Sequence, residues 1–482
     1  MRILALTIML GALVAAGSAR AGEPGSGQPG SAPPPLIAAP ESSPKRSTDH
    51  PAEQFSHWLR RAAEAYQEQD IEQWVAASRQ LHKLRPYNQD IMRHLVEGNA
   101  RLGNLSEAFA MMLKMQQQGL AENWDKIEAV EPMRRHDLYS HLNGLMKEAG
   151  EPVGEVTEWS RLESGQAMPE ALAYDKSGDR VFAGTVRDGL ILVTSDGENW
   201  TRFVSADSLP QLQAVFSLAV DAERGALWVA SGRVSQFHGR PHPDGVRSSL
   251  LRLDLESGEL EQEYQLSKGG GRNLLGNLVL ASDGTVFAND MELPFVYWLR
   301  PGAEALEPFF GHANLASLRG MALSGDDRLL YVADYEHGIF IVDAKAGKQA
   351  WKLAVPDTLN EGGIDGLYWW DGHLVTIQNG ISPQRIMRLE LGEDGLGVTS
   401  VAPLAAAVES FDTPTFGFVR DDDLFFLGGS HWHHVDAQGV PDEPLPEVPV
   451  LRVNIADAAN QIVGEHILQQ LRQQMESGDS DQ

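Results

Sequence analysis

Apolar residues recur along this chain in two different rhythms. Between 51 and 150 they fall at three- and four-residue spacing, as Phe55, Leu59, Ala62, Ala63 and Tyr66 do, which predicts helices with one apolar stripe. From Val156 the helical spacing stops, and short runs rich in Val, Leu, Phe and Trp alternate with Asp-Gly, Ser-Gly and Gly-Gly turn signals. Aligned on their hydrophobic second strands, these runs form six units: EALAYDKSGDRVFAGT (170–185), FSLAVDAERGALWVAS (216–231), GNLVLASDGTVFAND (276–290), RGMALSGDDRLLYVAD (319–334), DGLYWWDGHLVTIQN (365–379) and TFGFVRDDDLFFLGG (415–429). Their starts recur every 43–60 residues, and each unit continues into further β-rich sequence. A four-strand unit of that length is the signature of a propeller blade. The expected fold is therefore mainly β: a six-bladed β-propeller over 156–454, preceded by a small helical domain over 51–150. A β-sandwich would leave the repeat spacing unexplained. Either 156–162 or 448–455 is suited to close the ring, and the sequence does not choose between them.

The helical part carries a weaker repeat. Comparing 54–87 with 88–121 shows an offset of 34 residues, and RLGNLSEAF (101–109) is its best fragment, with small Gly103 and Ala108 at a helix contact. This resembles the tetratricopeptide repeat, which implies a surface for a protein partner. An unrelated helical bundle is the alternative. After the propeller, Val463, Ile467, Leu468, Leu471 and Met475 return to helical spacing, so 455–482 is expected to form an amphipathic helix with a polar tail.

The N-terminus sets the expected compartment. Arg2, an apolar run over 3–16 and the small-x-small sequence Ala19-Arg20-Ala21 predict a signal peptide over 1–21. No Cys follows for lipid attachment, and no later stretch approaches the roughly 18 apolar residues needed to span a bilayer. Residues 22–50 are dominated by Gly, Pro and Ser and cannot bury enough apolar surface to order themselves, so they read as a tether. The mature chain is expected in the periplasm or secreted.

Charge and composition remove several function classes. The 482 residues include 39 Lys and Arg against 67 Asp and Glu, a net charge of −28. That excess argues against nucleic acid and against anionic membrane surfaces, both of which require clustered cations. With no cysteine there is no disulfide, zinc–thiolate site, iron–sulfur cluster or thiol nucleophile. No G-x-S-x-G elbow occurs, and GGGR (269–272) lacks the Lys-Ser/Thr and helix of a phosphate loop.

Chemistry is expected on the propeller axis. The first strand of each blade lines that axis, so the six unit starts, Glu170, Phe216, Gly276, Arg319, Asp365 and Thr415, should converge there. Carboxylates facing one another in such a channel repel unless a cation lies between them. Two other motifs are weaker. HWHH (431–434), taken as a strand, would place His431 and His433 on one face and His434 on the other, as surface histidines rather than a metal site. FHGRPHPDG (237–245) is either a loop over the channel mouth or a tolerated insertion.

PEALAYD (169–175), RGMALSGDDRLLYVAD (319–334) and IDGLYWWDG (364–372) resemble the blades of the senescence-marker-protein/gluconolactonase family and its strictosidine-synthase and paraoxonase relatives. The resemblance implies a six-bladed propeller. It also implies a divalent metal, usually Ca²⁺, held by a Glu, one or two Asn and an Asp, with the Asp as general base in opening a lactone or ester. Glu170 matches the Glu and Asp365 the Asp, and these two are the candidate metal ligands. Gly276 stands in one Asn slot, with Asn277 one residue late, and Arg319 stands in the other. Arg offers donors and a fixed positive charge where a hard cation needs oxygen. Two functions follow. One is a module that binds a small polar or anionic ligand through Glu170, Phe216, Asn277 and Thr415, with the helices holding a protein. The other is a lactone or ester hydrolase with Asp365 and Arg319 as catalytic residues, in the metal-dependent form the resemblance implies.

Overall fold

The computed structural model describes residues 51–163, 168–268, 271–312, 314–347, 350–441 and 443–457. The expected signal segment (1–21), the expected tether (22–50) and all but the first three residues of the expected C-terminal helix (455–482) lie outside the described residues. Among those residues, no helix is long and apolar enough to cross a membrane.

Among the described residues, five α-helices precede the β part: α1 (Pro51–Gln67), α2 (Ile71–Leu84), α3 (Gln89–Arg101), α4 (Leu105–Gln117) and α5 (Asp137–Glu148). Asp70 and Asn88 cap α2 and α3, accepting from the backbone N–H of Gln73 and Ile91 at 3.0 and 3.1 Å. The buried face of α1 runs through Ala62 and Ala65, with Phe55 and Trp58 partly covered, whereas Leu59 and Tyr66 of the expected stripe face outward. Small side chains let α2 pack against that face. The remaining helices close a Met-rich core around Trp124, built from Met92, Met112, Met115, Met133 and Met146.

The β part is a six-bladed propeller of four-stranded antiparallel sheets. Its first strands, Pro169–Asp175, Ala214–Asp221, Leu275–Leu280, Leu318–Leu323, Ile364–Trp370 and Gly417–Arg420, pack side by side in a ring. Each first hairpin turns through a left-handed residue: Asp179, Gly225, Gly284, Asp327, Asp371 and Asp421. Glycine and aspartate tolerate that conformation, and β-branched residues do not. The ring closes with both candidate segments. Val448–Asn454 is the third strand of blade six, and Thr157–Leu162 pairs with it as the outer fourth. The two ends of the propeller sequence are thus zipped together in one sheet.

Because the strands alternate in direction, the start of each first strand and the turn between its second and third strands lie at the same end. Two structures cover that end. The helical segment docks on blades four and five: Tyr87 donates to Glu361 Oε1 at 2.6 Å, Arg85 pairs with Glu336 at 3.5 Å, and buried Arg385 donates to the Gln118 carbonyl at 3.1 Å. On the opposite side the blade-two insertion crosses blade one and meets blade six. There Gln236 donates to the Ala437 carbonyl at 3.2 Å, and His238 Nε2 lies 3.1 Å from the Gln438 carbonyl. Beneath it, Met168, Phe216, Phe237, Leu274, Val435 and Leu445 form an apolar roof.

Candidate functional site

Five of the six first strands carry one extra residue against their partner, and the irregularity falls each time at the unit start. The pairing shifts between Pro169 and Ala171, Val215 and Ser217, Leu275 and Leu278, Leu318 and Met321, and Ile364 and Gly366. A bulge re-aims the extra side chain out of the ladder. Glu170, Phe216, Arg319 and Asp365 are the residues so displaced, together with the Gly276–Asn277 pair.

Two of them meet as an ion pair. Arg319 Nε lies 3.8 Å from Asp365 Oδ1, without a hydrogen bond. Asn379 Nδ2 donates to the other Asp365 oxygen at 2.8 Å and to the Pro414 carbonyl at 3.0 Å. Tyr335 donates its hydroxyl to Asn379 Oδ1 at 2.9 Å, and its ring lies 5.6 Å from the Arg319 guanidinium. The loop Arg319–Asp365–Asn379–Tyr335 therefore closes on itself. Glu170 stands apart from it and accepts from Trp432 Nε1 at 2.9 Å.

Both carboxyls are buried, Glu170 at 8% exposure and Asp365 at 7%. Burial and the nearby Asp365 charge push the Glu170 carboxyl up to about 8, against smaller downward pulls from the Trp432 N–H and Arg319. Burial also raises Asp365, while Arg319 and then Asn379 pull it down. A single proton shared between them belongs on Glu170, because Asp365 has the closer cation. Burial raises the Tyr335 hydroxyl as well, so it acts as a donor.

The other candidate residues have different surroundings. Phe216 is buried in the apolar roof. Asn277 stitches blade three to blade four, its Oδ1 accepting from Met321 N at 2.9 Å. A side chain at Gly276 would meet Asn289 Oδ1 at 2.6 Å and Met291 Cγ at 2.5 Å. Asn289 comes from the second strand, accepts from Asn277 N at 2.8 Å and donates to the Arg319 carbonyl. Thr415 is buried, and its hydroxyl has no hydrogen-bond partner. Sequence reasoning missed Tyr335, Asn379, Asn289 and Trp432. The first three lie at the ends of second strands: Tyr335 and Asn379 each follow the last strand residue, in YVAD-Y and TIQ-N, and Asn289 is the next-to-last residue of its strand, in FA-N-D.

These residues do not fit a divalent cation on the axis. A hard cation takes six to eight oxygens in the case of Ca²⁺. Here one oxygen of each carboxylate already accepts an N–H, and the remaining Asp365 oxygen faces Arg319. The guanidinium supplies the positive charge that a metal would bring.

The HWHH segment differs from its expected form. Trp432–His434 is a 3-10 turn and not a strand, because the second strand of blade six ends at Leu427. His433 and His434 therefore lie together, with ring centroids 4.0 Å apart, instead of on opposite faces. His431 is buried and accepts from Met168 N at 2.9 Å.

No family model and no curated protein sequence matches the chain. Among solved structures, a putative oxidoreductase (glucose dehydrogenase) from Thermus thermophilus is 17% identical, covers 62% of this chain and 99% of its own, and has a TM-score of 0.44. A PQQ-bound aldose sugar dehydrogenase from Streptomyces coelicolor is 12% identical over 63% of this chain and 99% of its own, with a TM-score of 0.43. A calcium-binding regucalcin from Agrobacterium tumefaciens is 16% identical over 62% of this chain and 95% of its own, again at 0.43. Likenesses this distant carry no chemistry from one protein to another.

Proposed function

We propose that the protein is an exported propeller that binds a small anionic ligand at its axis, with Arg319 as the anchor. The supporting observation is the state of the guanidinium. Arg319 is largely covered, its Nε is buried without a hydrogen-bond partner, and its one ionic neighbour is too far for a hydrogen bond. A half-buried fork of unused donors selects a carboxylate or a similar planar anion. Protonated Glu170 and the Thr415 hydroxyl supply further donors to a polyhydroxy acid, and the Phe216 roof limits its size. The signal sequence and tether support placement outside the cytoplasm. The exposed apolar residues of the helical segment, Leu59, Tyr66 and Leu138, support its use as a platform for a protein partner.

A second reading, a hydrolase of lactones or esters, is favoured by one observation. The two axial carboxyls differ in environment. Burial and the Asp365 charge push Glu170 up to about 8, whereas Arg319 and Asn379 offset part of the upward push that burial exerts on Asp365. A proton held by the pair therefore sits on Glu170, the division needed for acid and base roles. In this form the reaction would use Arg319 rather than a metal to stabilise the oxyanion.

Calorimetry with gluconate as the anionic probe, and a turnover assay with its lactone, separates the two. The binding function predicts saturable gluconate binding that weakens at least tenfold in Arg319→Ala, with no lactone turnover. Equal binding by wild type and variant overturns it. Lactone turnover that disappears in Asp365→Asn transfers the conclusion to the hydrolase.

A further inference from the structure

A second polar cluster sits at the same end of the propeller, in blade six, outside the axial group. Asp412, just ahead of the first strand of that blade, receives two imidazoles from the 3-10 turn. His433 Nε2 lies 3.0 Å from Oδ1, and His434 Nε2 lies 3.1 Å from Oδ2. The three ligand atoms all fall within 4.8 Å of one another. We propose that Asp412, His433 and His434 form a binding site for one divalent transition-metal ion of the Zn²⁺ class.

The argument begins with spacing. Bonds of about 2.0–2.2 Å to a four- to six-coordinate ion set neighbouring ligand atoms roughly 2.9–3.4 Å apart. The two imidazole–carboxylate separations, 3.0 and 3.1 Å, lie in that range, and the third lies within 4.8 Å, so the ion enters between imidazole and carboxylate with a modest side-chain adjustment. Each ring then carries its proton on Nδ1 and offers the Nε2 lone pair. Ligand type sets the selectivity, since two imidazoles and one carboxylate suit Zn²⁺, Co²⁺ or Ni²⁺ and disfavour the all-oxygen shell of Ca²⁺.

The backbone holding these side chains is fixed on both sides. Asp412 N donates to the Gly428 carbonyl at 2.8 Å, and its own carbonyl accepts from Ser430 N at 2.9 Å. The turn is anchored by His431, whose Nδ1 accepts from Met168 N and whose Nε2 lies 2.8 Å from the Pro446 carbonyl. Consecutive side chains therefore divide their tasks. His431 pins the turn, Trp432 reaches Glu170, and His433 and His434 meet Asp412. Preorganisation of this kind lowers the ordering cost of ligation. The side chains of Asp412, His433 and His434 remain 56%, 28% and 35% exposed, so the ion has an entry path and its remaining coordination positions open to solvent. Three protein ligands with an open position is the arrangement that activates bound water, whereas closed four-ligand sites are structural.

The test titrates metal-stripped full-length protein with Zn²⁺ alone by calorimetry and records the visible spectrum with Co²⁺. The proposal expects one Zn²⁺ per chain. Affinity should fall at least tenfold in Asp412→Asn, His433→Ala and His434→Ala, and should be unchanged in His373→Ala, a histidine of blade five. The Co²⁺ spectrum, which requires no variant, should show imidazole ligation. Three outcomes overturn the proposal: no binding at micromolar Zn²⁺, binding that survives all three ligand substitutions, or a Co²⁺ spectrum of an all-oxygen shell. Because the axial residues take no part, failure here leaves the anionic-ligand function intact.

Discussion

Trp432 of blade six donates its indole N–H to Glu170 of blade one at 2.9 Å, across 262 residues of sequence. This contact bridges the two blades where the ring closes. It also orients the more basic of the two axial carboxyls, because the unshared Glu170 oxygen is left for the proton.

Glu170 should give the protein a measurable pH dependence. Its folded-state value of about 8 lies above the unfolded carboxyl, so the folded protein holds a proton that the unfolded chain has lost. The stabilising contribution is complete below the unfolded value and is lost as pH rises through the folded one. Between the two, stability should fall with a slope approaching about 1.4 kcal/mol per pH unit. Glu170→Gln keeps a neutral group at the site and should remove that slope, making the variant more stable than wild type above pH 8. Urea unfolding at several pH values checks this, and parallel curves for the two proteins would refute it.

Gly372 offers a clean measure of turn strain. Its φ is 79°, and a Cβ there would meet nothing within 4 Å. Gly372→Ala should therefore cost about 1 kcal/mol from backbone conformation alone, with no clash added. The neighbouring Asp371, at φ 41°, should tolerate Asn and lose about 1–2 kcal/mol as Val. Denaturant midpoints report both.

These turns also explain why the propeller was legible in the sequence. Each unit joins two alternating strands through a residue that tolerates a left-handed turn, so pattern and punctuation agree. Glu170, Arg319 and Asp365 stood in equivalent slots, and the bulges at those slots are what turn such residues out of the ladder. Asn379 and Tyr335 were not legible, because their roles depend on which blade lies next to which. Asn289 fills the space over Gly276 from a neighbouring strand, which no spacing within one strand reveals. The histidine turn departs from its expected form because strand geometry does not extend past Leu427. Ring closure posed an either-or question where the fold uses both segments, one as the third and one as the fourth strand of blade six.

Tyr87 should report on how firmly the helices hold the propeller. Its hydroxyl donates to Glu361, which also accepts from Lys352 Nζ at 2.7 Å and is almost fully buried. Tyr87→Phe removes one charge-assisted donor and leaves the carboxylate its other partners. The expected loss is about 1–2 kcal/mol, with faster proteolysis in the helical segment than in the blades. A variant that melts and digests like wild type would show that this contact does not fasten the two parts.

Arg319 decides whether the axis uses a guanidinium in place of a metal. Replacing it by Ala leaves Glu170 and Asp365 without the cation that offsets them. Breaking a buried pair costs roughly 3–5 kcal/mol, and because the guanidinium is partly exposed and 3.8 Å from Asp365, a loss of about 2 kcal/mol is expected here. The loss should grow with pH. Without Arg319 the Asp365 value rises further, so at acid pH both carboxyls are protonated and little repulsion remains, while at alkaline pH both must ionise. Arg319→Asn should behave differently, because it removes the positive charge and adds a carbonyl oxygen beside two carboxylates. Metal-stripped wild type should melt at the same temperature with and without added Ca²⁺, Arg319→Ala should gain slightly, and Arg319→Asn should gain most. Thermal melts of the three proteins measure this order. Strong Ca²⁺ stabilisation of the wild type, lost in Asp365→Ala, would mean that the axis binds a cation despite Arg319 and that the guanidinium swings aside to admit it.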